Sequence, residues 1–445
     1  MNLVYKVNDR PKFGQLLIFA LQQLLAILAA TIAVPSIVGN GMSQSAALFG
    51  AGVGTIVYLL FTKFKSPVFL GSSFAFLGSM FAAFGGAVST SVGYAGLIIG
   101  AIMAGLVYVV IAVIVKIAGV KWINRLMPPV VIGPTVAIIG LSLAGNAISD
   151  ALHGATNNGS AYVMSTSGWV SLCCALVTLM MVIYCSIRGK KMMKLIPFIL
   201  GIVAGYVAAL VFTLIGNATG NDALKVINFS AFDNMKWVPD FTFVEAFRGV
   251  KEISAEYIAT LAVAYIPVAF VVFAEHIADH KNLSSIIGQE LLEEPGLHRT
   301  LLGDGIGSMV GAFFGGCPNT TYGESVGCVA ITGNASVITN LVTGLMAIAF
   351  SFLAPFVTFL STIPNCVMGG VCITLYGFIA VSGLKMLQPV DLNDNRNLFT
   401  ASVILIAGIG GMALQIGSVT LTSIACALIL GILVNVQFMM FEKKK

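Results

Sequence analysis

Apolar runs of about 20 residues recur along this chain from Phe13 to Met440, separated by short polar stretches. Runs of that length predict helices that cross a bilayer. The first, "FGQLLIFALQQLLAILAATIAV", is longer than a secretory signal core and lacks a small-residue cleavage site, so it reads as a span. Fourteen segments can be marked, starting near Phe13, Ala47, Val68, Ala95, Pro129, Gly168, Leu195, Ile253, Leu301, Tyr322, Ala335, Cys366, Leu398 and Ser418.

Two segments break the pattern. "SPVFLGSSFAFLG" (Ser66–Gly78) is the third and "CPNTTYGESVG" (Cys317–Gly327) opens the tenth. Both carry Pro, Gly, Ser and Thr where a span is normally solidly apolar. Pro67, Val68 and Phe69 predict a short extended piece followed by a helix from about Phe74. Pro318, Asn319 and Thr320 predict the same, with a helix from about Tyr322. Non-helical backbone at membrane depth is tolerated only inside protein or along a cavity. The half-helix that follows would point free N–H groups and a positive dipole end into that cavity. The plainer alternative is a pair of ordinary helices whose Gly and Ser serve packing.

The spacing of these segments suggests an internal repeat. "PPVVIGPTVAIIG" from Pro128 and "PNCVMGGVCITLYG" from Pro364 share P-x-x-V-x-G, aligning Val131 with Val367 and Gly133 with Gly369. They open the fifth and twelfth segments. The broken segments, third and tenth, are also seven apart. An odd offset gives the two copies opposite membrane orientation, so the predicted fold is all-α, fourteen spans in a seven-plus-seven inverted repeat.

Charge agrees with that count. The chain has 58% hydrophobic and 9% charged residues, with a mean hydropathy of +0.97. With the amino terminus inside, every second loop is cytoplasmic. Nineteen of the 23 Lys and Arg then fall inside: Lys6, Arg10, Lys12; Lys63, Lys65; Lys116, Lys121, Arg125; Arg188, Lys190, Lys191, Lys194; Lys281, Arg299; Lys385, Arg396; and Lys443 to Lys445. The other four, Lys225, Lys236, Arg248 and Lys251, share one long loop with several acids, and long loops translocate despite their charge. Both termini are therefore expected in the cytoplasm. The net charge of +5 is spread over short loops and is no nucleic-acid signal. The eight cysteines show no metal-binding or redox spacing, and no metal or other cofactor is expected.

The chemistry concentrates in "FAEHIADH". Glu275 and Asp279 stand at i and i+4 on one helical face. Glu324 opens the second half-helix. Ionisable residues within spans are functional candidates by default, and carboxylates close together can share and exchange a proton. His276 and His280 read as the wet cytoplasmic end of the eighth span, with His280 placed in a loop by the following Lys281 and Asn282. Enzyme signatures (G-x-S-x-G, H-E-x-x-H, a phosphate loop) are absent, so an enzyme is not expected.

The stretches "LGSSFAF", "AEH", "PGLHR", "PNTTYGE" and "PNCVMGGV" resemble the nucleobase–ascorbate transporter family, particularly its bacterial uracil permeases. "ESVGCVAITG" (Glu324–Gly333) is similar to the family signature [Q/E/P]-N-x-G-x4-T-[R/K/G]. The resemblance implies a bacterial inner-membrane importer coupled to protons. It implies a core domain (13–118 and 250–360) rocking against a gate domain (121–217 and 364–441). By position, Glu275 and Glu324 would hold the base, Phe74 would stack on it, Tyr322 and the Gly323 backbone would lie beside it, and Ala30 would line the pocket. Tyr376 matches a gate tyrosine, and Glu275 with Asp279 would couple the proton. Three positions, Asp279, Ser325 and Gln23, depart from the uracil permeases or the signature, and a fourth, Glu324, departs from the purine-transporting relatives. Asp279 stands where the best-known uracil permeases carry His. Glu324 stands where purine-transporting relatives carry Gln. Ser325 replaces the signature Asn, and Gln23 stands where some members have His. Uracil is the first expectation and xanthine or uric acid the second. A passive channel or anion exchanger on the same fold is a third, which two acids in the pocket disfavour. The expected partners are a nucleobase, protons and the lipid bilayer; nucleic acid is not expected, and a homodimer is left open.

Overall fold

A computed structural model describes residues 3–119, 126–190, 193–194, 196–416 and 419–442. Lys121, Arg125, Lys191 and Lys443 to Lys445 of the inner cation set, and the expected segment starts at Leu195 and Ser418, lie outside the described residues. The chain is a stack of helices. In order they are α1 (Phe13–Val38), α2 (Gln44–Phe61), α3 (Leu77–Gly85), α4 (Thr90–Ala118), α5 (Pro129–Ser142), α6 (Ala144–Ala151), α7 (Thr166–Arg188) and α8 (Pro197–Thr219). Next come α9 (Thr242–Gly249), α10 (Ala255–Ile287), α11 (Leu297–Gly315), α12 (Gly323–Thr332), α13 (Val337–Ser351) and α14 (Ala354–Ser361). The last are α15 (Asn365–Lys385), α16 (Asn395–Ile409) and α17 (Ser423–Glu442).

Among the described residues nine helical stretches are long and apolar enough to cross a membrane, one of them α5 and α6 taken together, against the fourteen segments expected. The difference lies in broken or short elements. α13 and α14 bend by 81° at their junction, the helix spanning Phe74–Gly85 and α16 are short, and α11 carries charged residues through its first half. The outward faces are apolar: Ile102, Leu106, Val110 and Val113 of α4 are all exposed. A face of that kind is stable against lipid and costly against water, and the chain is a multi-pass membrane protein.

The two segments singled out for their Pro, Gly and Ser do carry strands. β1 (Leu70–Ser72) and β2 (Asn319–Thr321) pair antiparallel, Leu70 opposite Thr321 and Ser72 opposite Asn319. Both are fully buried, so every backbone group needs a partner. Leu70 N–H donates to the Thr55 hydroxyl (2.9 Å), Ser73 N–H to the Pro318 carbonyl (2.9 Å) and Tyr322 N–H to the Phe69 carbonyl (3.2 Å). Phe69 N–H donates to the Ser325 hydroxyl (3.1 Å), which also accepts from Gln23 Nε2 (2.6 Å). A helical turn, Phe74–Phe76, leads from β1 into α3, and α12 follows β2 after Tyr322.

Close helix packing surrounds this pair. α2 crosses α11 glycine to glycine: a Cβ on Gly54 would lie 2.8 Å from the Gly307 carbonyl oxygen, and one on Gly307 the same distance from that of Gly54. Only hydrogens fit there. The two P-x-x-V-x-G stretches form the same local turn. Pro128 and Pro364 precede α5 and α15, and their carbonyls accept from Val131 N–H (2.8 Å) and Val367 N–H (3.0 Å). Proline suits this place because the first N–H groups of a helix have no intrahelical acceptor.

The eighth segment requires a correction. α10 runs to Ile287 and is capped there by Gly288, with φ +69°. His280, Lys281 and Asn282 are therefore helical, not loop.

Candidate functional site

A cavity of about 370 Å³ lies where α10, the two strand-to-helix junctions, α1 and α15 meet. Its size falls within the range of small-molecule pockets. Glu275 and Asp279 reach it from α10. Glu324 reaches it from the first turn of α12, with Gly323 beside it, where unpaired N–H groups and the helix dipole favour negative charge. Phe74 and Tyr322, at the entries to the two half-helices, complete the wall.

Glu275 makes no side-chain hydrogen bond or ion pair among the described residues, so its carboxylate oxygens are available to a ligand. Asp279 is held differently: the Thr321 hydroxyl, at the end of β2, donates to Asp279 Oδ2 at 2.8 Å. The Tyr322 hydroxyl is already used, donating to the Ser72 carbonyl at 2.8 Å. Tyr322 therefore offers the cavity its ring, while its polar end staples the two strand segments together.

Among the residues the sequence singled out, Glu275, Asp279, Glu324, Phe74, Tyr322 and Gly323 share this one cavity. Ala30 is not in its wall; it is buried at 2% exposure, and Ala26, one turn earlier on α1, lines the cavity instead. Tyr376 stands just behind the wall at 3% exposure, edge-on to Phe74 with ring centroids 5.8 Å apart. The cavity extends along the C-terminal half of α15, past Phe378 and Ser382 to Met386, where Lys194 also lines it.

The histidines are not wet. His276 and His280 are both fully buried, on a face of α10 turned away from the cavity. His276 Nδ1 lies 2.7 Å from Asp304 Oδ2, and its Nε2 lies 2.9 Å from the Thr300 hydroxyl. His280 meets the Tyr58 hydroxyl at 2.7 Å. The reason is that α10 continues beyond His280, and its histidine face is covered there by Tyr58 of α2 and by Thr300 and Asp304 of α11. Asp304 was missed by the sequence reading. Its signal was present, since it is an acid within the glycine-rich apolar run "LLGDGIGSMVGAFFG".

A model of the permease family matches residues 14–417. The uracil permease of Bacillus caldolyticus is 42% identical over 437 residues, covering 97% of this chain and 94% of that protein. The chain belongs to the nucleobase–ascorbate transporter family of permeases. The uracil permease of Escherichia coli strain K12 is 33% identical to this family member over 438 residues, covering 97% of this chain and 93% of that protein. Two solved structures share the fold. The transmembrane domain of the cyanobacterial bicarbonate transporter BicA superposes with a TM-score of 0.62 at 15% identity, covering 97% of this chain and all of that one. The murine anion transporter Slc26a9, in its inward-facing state, gives 0.69 at 11% identity, covering 98% of this permease and 69% of that chain. At such identities the likeness carries the fold alone.

Proposed function

We propose that this permease imports uracil together with protons by alternating access. The observation that carries the reading is the meeting of Glu275, Glu324 and Phe74 in one cavity, in a chain whose full-length relatives are named uracil permeases. Uracil is a flat ring with alternating N–H donors and carbonyl acceptors. Glu275 and Glu324 accept the ring N–H groups, and the free N–H groups opening α12 at Gly323 donate to a carbonyl. Phe74 covers the ring face, and Ala26 supplies from α1 the wall expected of Ala30. Proton coupling falls to Glu275 and Asp279, one helical turn apart. A nucleobase seated in the cavity displaces water from two acids one turn apart. That desolvation favours the state in which they hold one proton between them, with an ionised oxygen of Glu275 left to face the ring N–H, so cargo and proton travel together.

The larger architecture is part of the same proposal. Fourteen segments divide into a core (13–118 and 250–360) and a gate (121–217 and 364–441), with both termini cytoplasmic. Two observations support an inverted repeat: β1 and β2 run antiparallel, and the turns at Pro128 and Pro364 have matching hydrogen bonds. The cavity lies between core elements (α10, α12) and gate helix α15, where rocking of one against the other would open it to alternate sides. Lys194 and Met386 then mark its cytoplasmic mouth.

The cavity is roomy enough for a two-ring base, so xanthine or uric acid is the second reading. Uptake of labelled uracil and labelled xanthine by cells expressing the protein, each competed by the other, separates the two. Uracil uptake unaffected by excess xanthine supports the first reading; xanthine uptake suppressed only weakly by uracil replaces it.

A further inference from the structure

α10 carries two pairs of neighbours, Glu275–His276 and Asp279–His280. Successive residues on a helix are separated by about 100° around its axis. The acids therefore share one face, which lines the cavity, and the histidines share another, which does not. The two imidazoles stack on each other with centroids 4.0 Å apart. Each is tied to a different neighbouring helix. His276 bridges Asp304 and Thr300 of α11. His280 Nδ1 donates to the His276 carbonyl at 2.8 Å, which leaves its Nε2 as an acceptor. The Tyr58 hydroxyl of α2, at 2.7 Å, must then donate to that nitrogen, and the Ser66 hydroxyl, at 2.7 Å, donates to Tyr58. All of these side chains are buried. The other assignment, a charged His280, has no carboxylate in contact to compensate it among the described residues.

We propose that His276 and His280 are positioning residues that set the rotation of α10, and so aim Glu275 and Asp279 into the cavity. A carboxylate roughly 6 Å from a helix axis moves about 2 Å when the helix turns by about 20°, more than a hydrogen bond tolerates. Apolar packing limits such a turn, with Tyr265 and Phe273 of α10 fully buried against Phe76 and Tyr108, but it tolerates small adjustments that a hydrogen bond does not. Two directional ties on one face, to α2 and α11, set it at the level of the acids; other ties to α10 lie nearer its start, where Tyr257 donates to the Ala83 carbonyl (2.6 Å) and the Ala264 carbonyl accepts from Ser79 (2.7 Å). The acids do not fix it themselves: among the described residues Glu275 makes no side-chain hydrogen bond or ion pair, and Asp279 makes one, through Thr321. The inference rests on the assignment of the two acids to the nucleobase site.

The test is calorimetric binding of uracil to purified full-length protein, with folding checked by gel filtration and thermal melting. Tyr58→Phe removes only the hydroxyl, and His280→Phe keeps a ring without nitrogen. Each is expected to raise the uracil Kd by about tenfold, the loss of one buried hydrogen bond being read at the acids. The double variant is expected to bind no worse than His280→Phe, because the two substitutions remove the same bond. His280→Gln, whose side-chain oxygen can accept from Tyr58, is expected to stay within about threefold of wild type. A lowered melting temperature with unchanged Kd in Tyr58→Phe would make the ladder a stability device and overturn the proposal, as would additive losses in the double variant. Should His280→Phe fail to fold, Tyr58→Phe and His280→Gln still decide. Glu275→Gln run alongside separates the two levels. Normal binding there removes the site assignment itself, whereas weak binding there with normal binding in Tyr58→Phe removes only the positioning role.

Discussion

Glu275→Gln tests the proposed chemistry most directly. Glu275 faces the cavity and has no side-chain partner among the described residues, so the substitution disturbs no hydrogen bond of the protein itself. A hydrogen bond to a charged group contributes roughly 1.5–3 kcal/mol, and ~1.4 kcal/mol is a tenfold change in affinity. One such bond lost therefore weakens uracil by about one to two powers of ten. The amide does worse than merely losing charge, because its NH₂ presents a donor where the ligand also presents one. Stability moves the other way. Taking an uncompensated carboxylate out of a mostly apolar cavity is neutral or favourable, so the melting temperature of the ligand-free protein should hold or rise. Calorimetry on purified protein gives the affinity, and a melt without ligand gives the stability. Wild-type affinity in Glu275→Gln would refute the reasoning and leave the acid as a charge at a helix flank. Lost affinity with a melting temperature several degrees lower would also refute it, because the acid would then be holding structure.

Four further outcomes are expected. Uptake of labelled uracil should fall as external pH rises and stop on adding a protonophore; accumulation that follows a sodium gradient and ignores the protonophore would remove the proton assignment. Thr321→Val keeps the shape but cannot donate to Asp279 Oδ2, so initial uptake should fall at least about tenfold at unchanged expression, by the strength of a hydrogen bond to a charged acceptor. Gly307→Ala places a methyl 2.8 Å from the Gly54 carbonyl oxygen and should destabilise by about 1–3 kcal/mol, read as a lower melting temperature in detergent. Reporter fusions after Lys194 should report cytoplasm and those between the end of α8 and Asp240 the opposite side; reversal of both would remove the proposed topology.

Much of the site is legible in the sequence because its signals are local. Pro67 and Pro318 interrupt two apolar runs, and strands followed by half-helices stand at those places. The i, i+4 spacing of Glu275 and Asp279 requires a common helical face, and the cavity receives both. Pro128 and Pro364 open helices for the reason that proline always can, namely that no N–H is needed there.

Tertiary structure alone decided which residues meet. Leu70 pairs with Thr321 across a separation of 251 positions, and nothing in either stretch names the other. Polar residues after an apolar run look like a helix end facing water, which is how His276 and His280 read. Their burial depends on Tyr58, 222 residues from His280, and on Asp304, 28 residues from His276. Ala26 rather than Ala30 lines the cavity: the two share a face of α1, and the depth of the cavity along the helix, which two identical side chains do not mark, selects between them. Hydropathy reports the transfer of a residue out of water, which is a property of the residue and its near neighbours. Whether a buried polar group is affordable depends on a partner arriving from elsewhere in the chain, and only the packed fold supplies that partner.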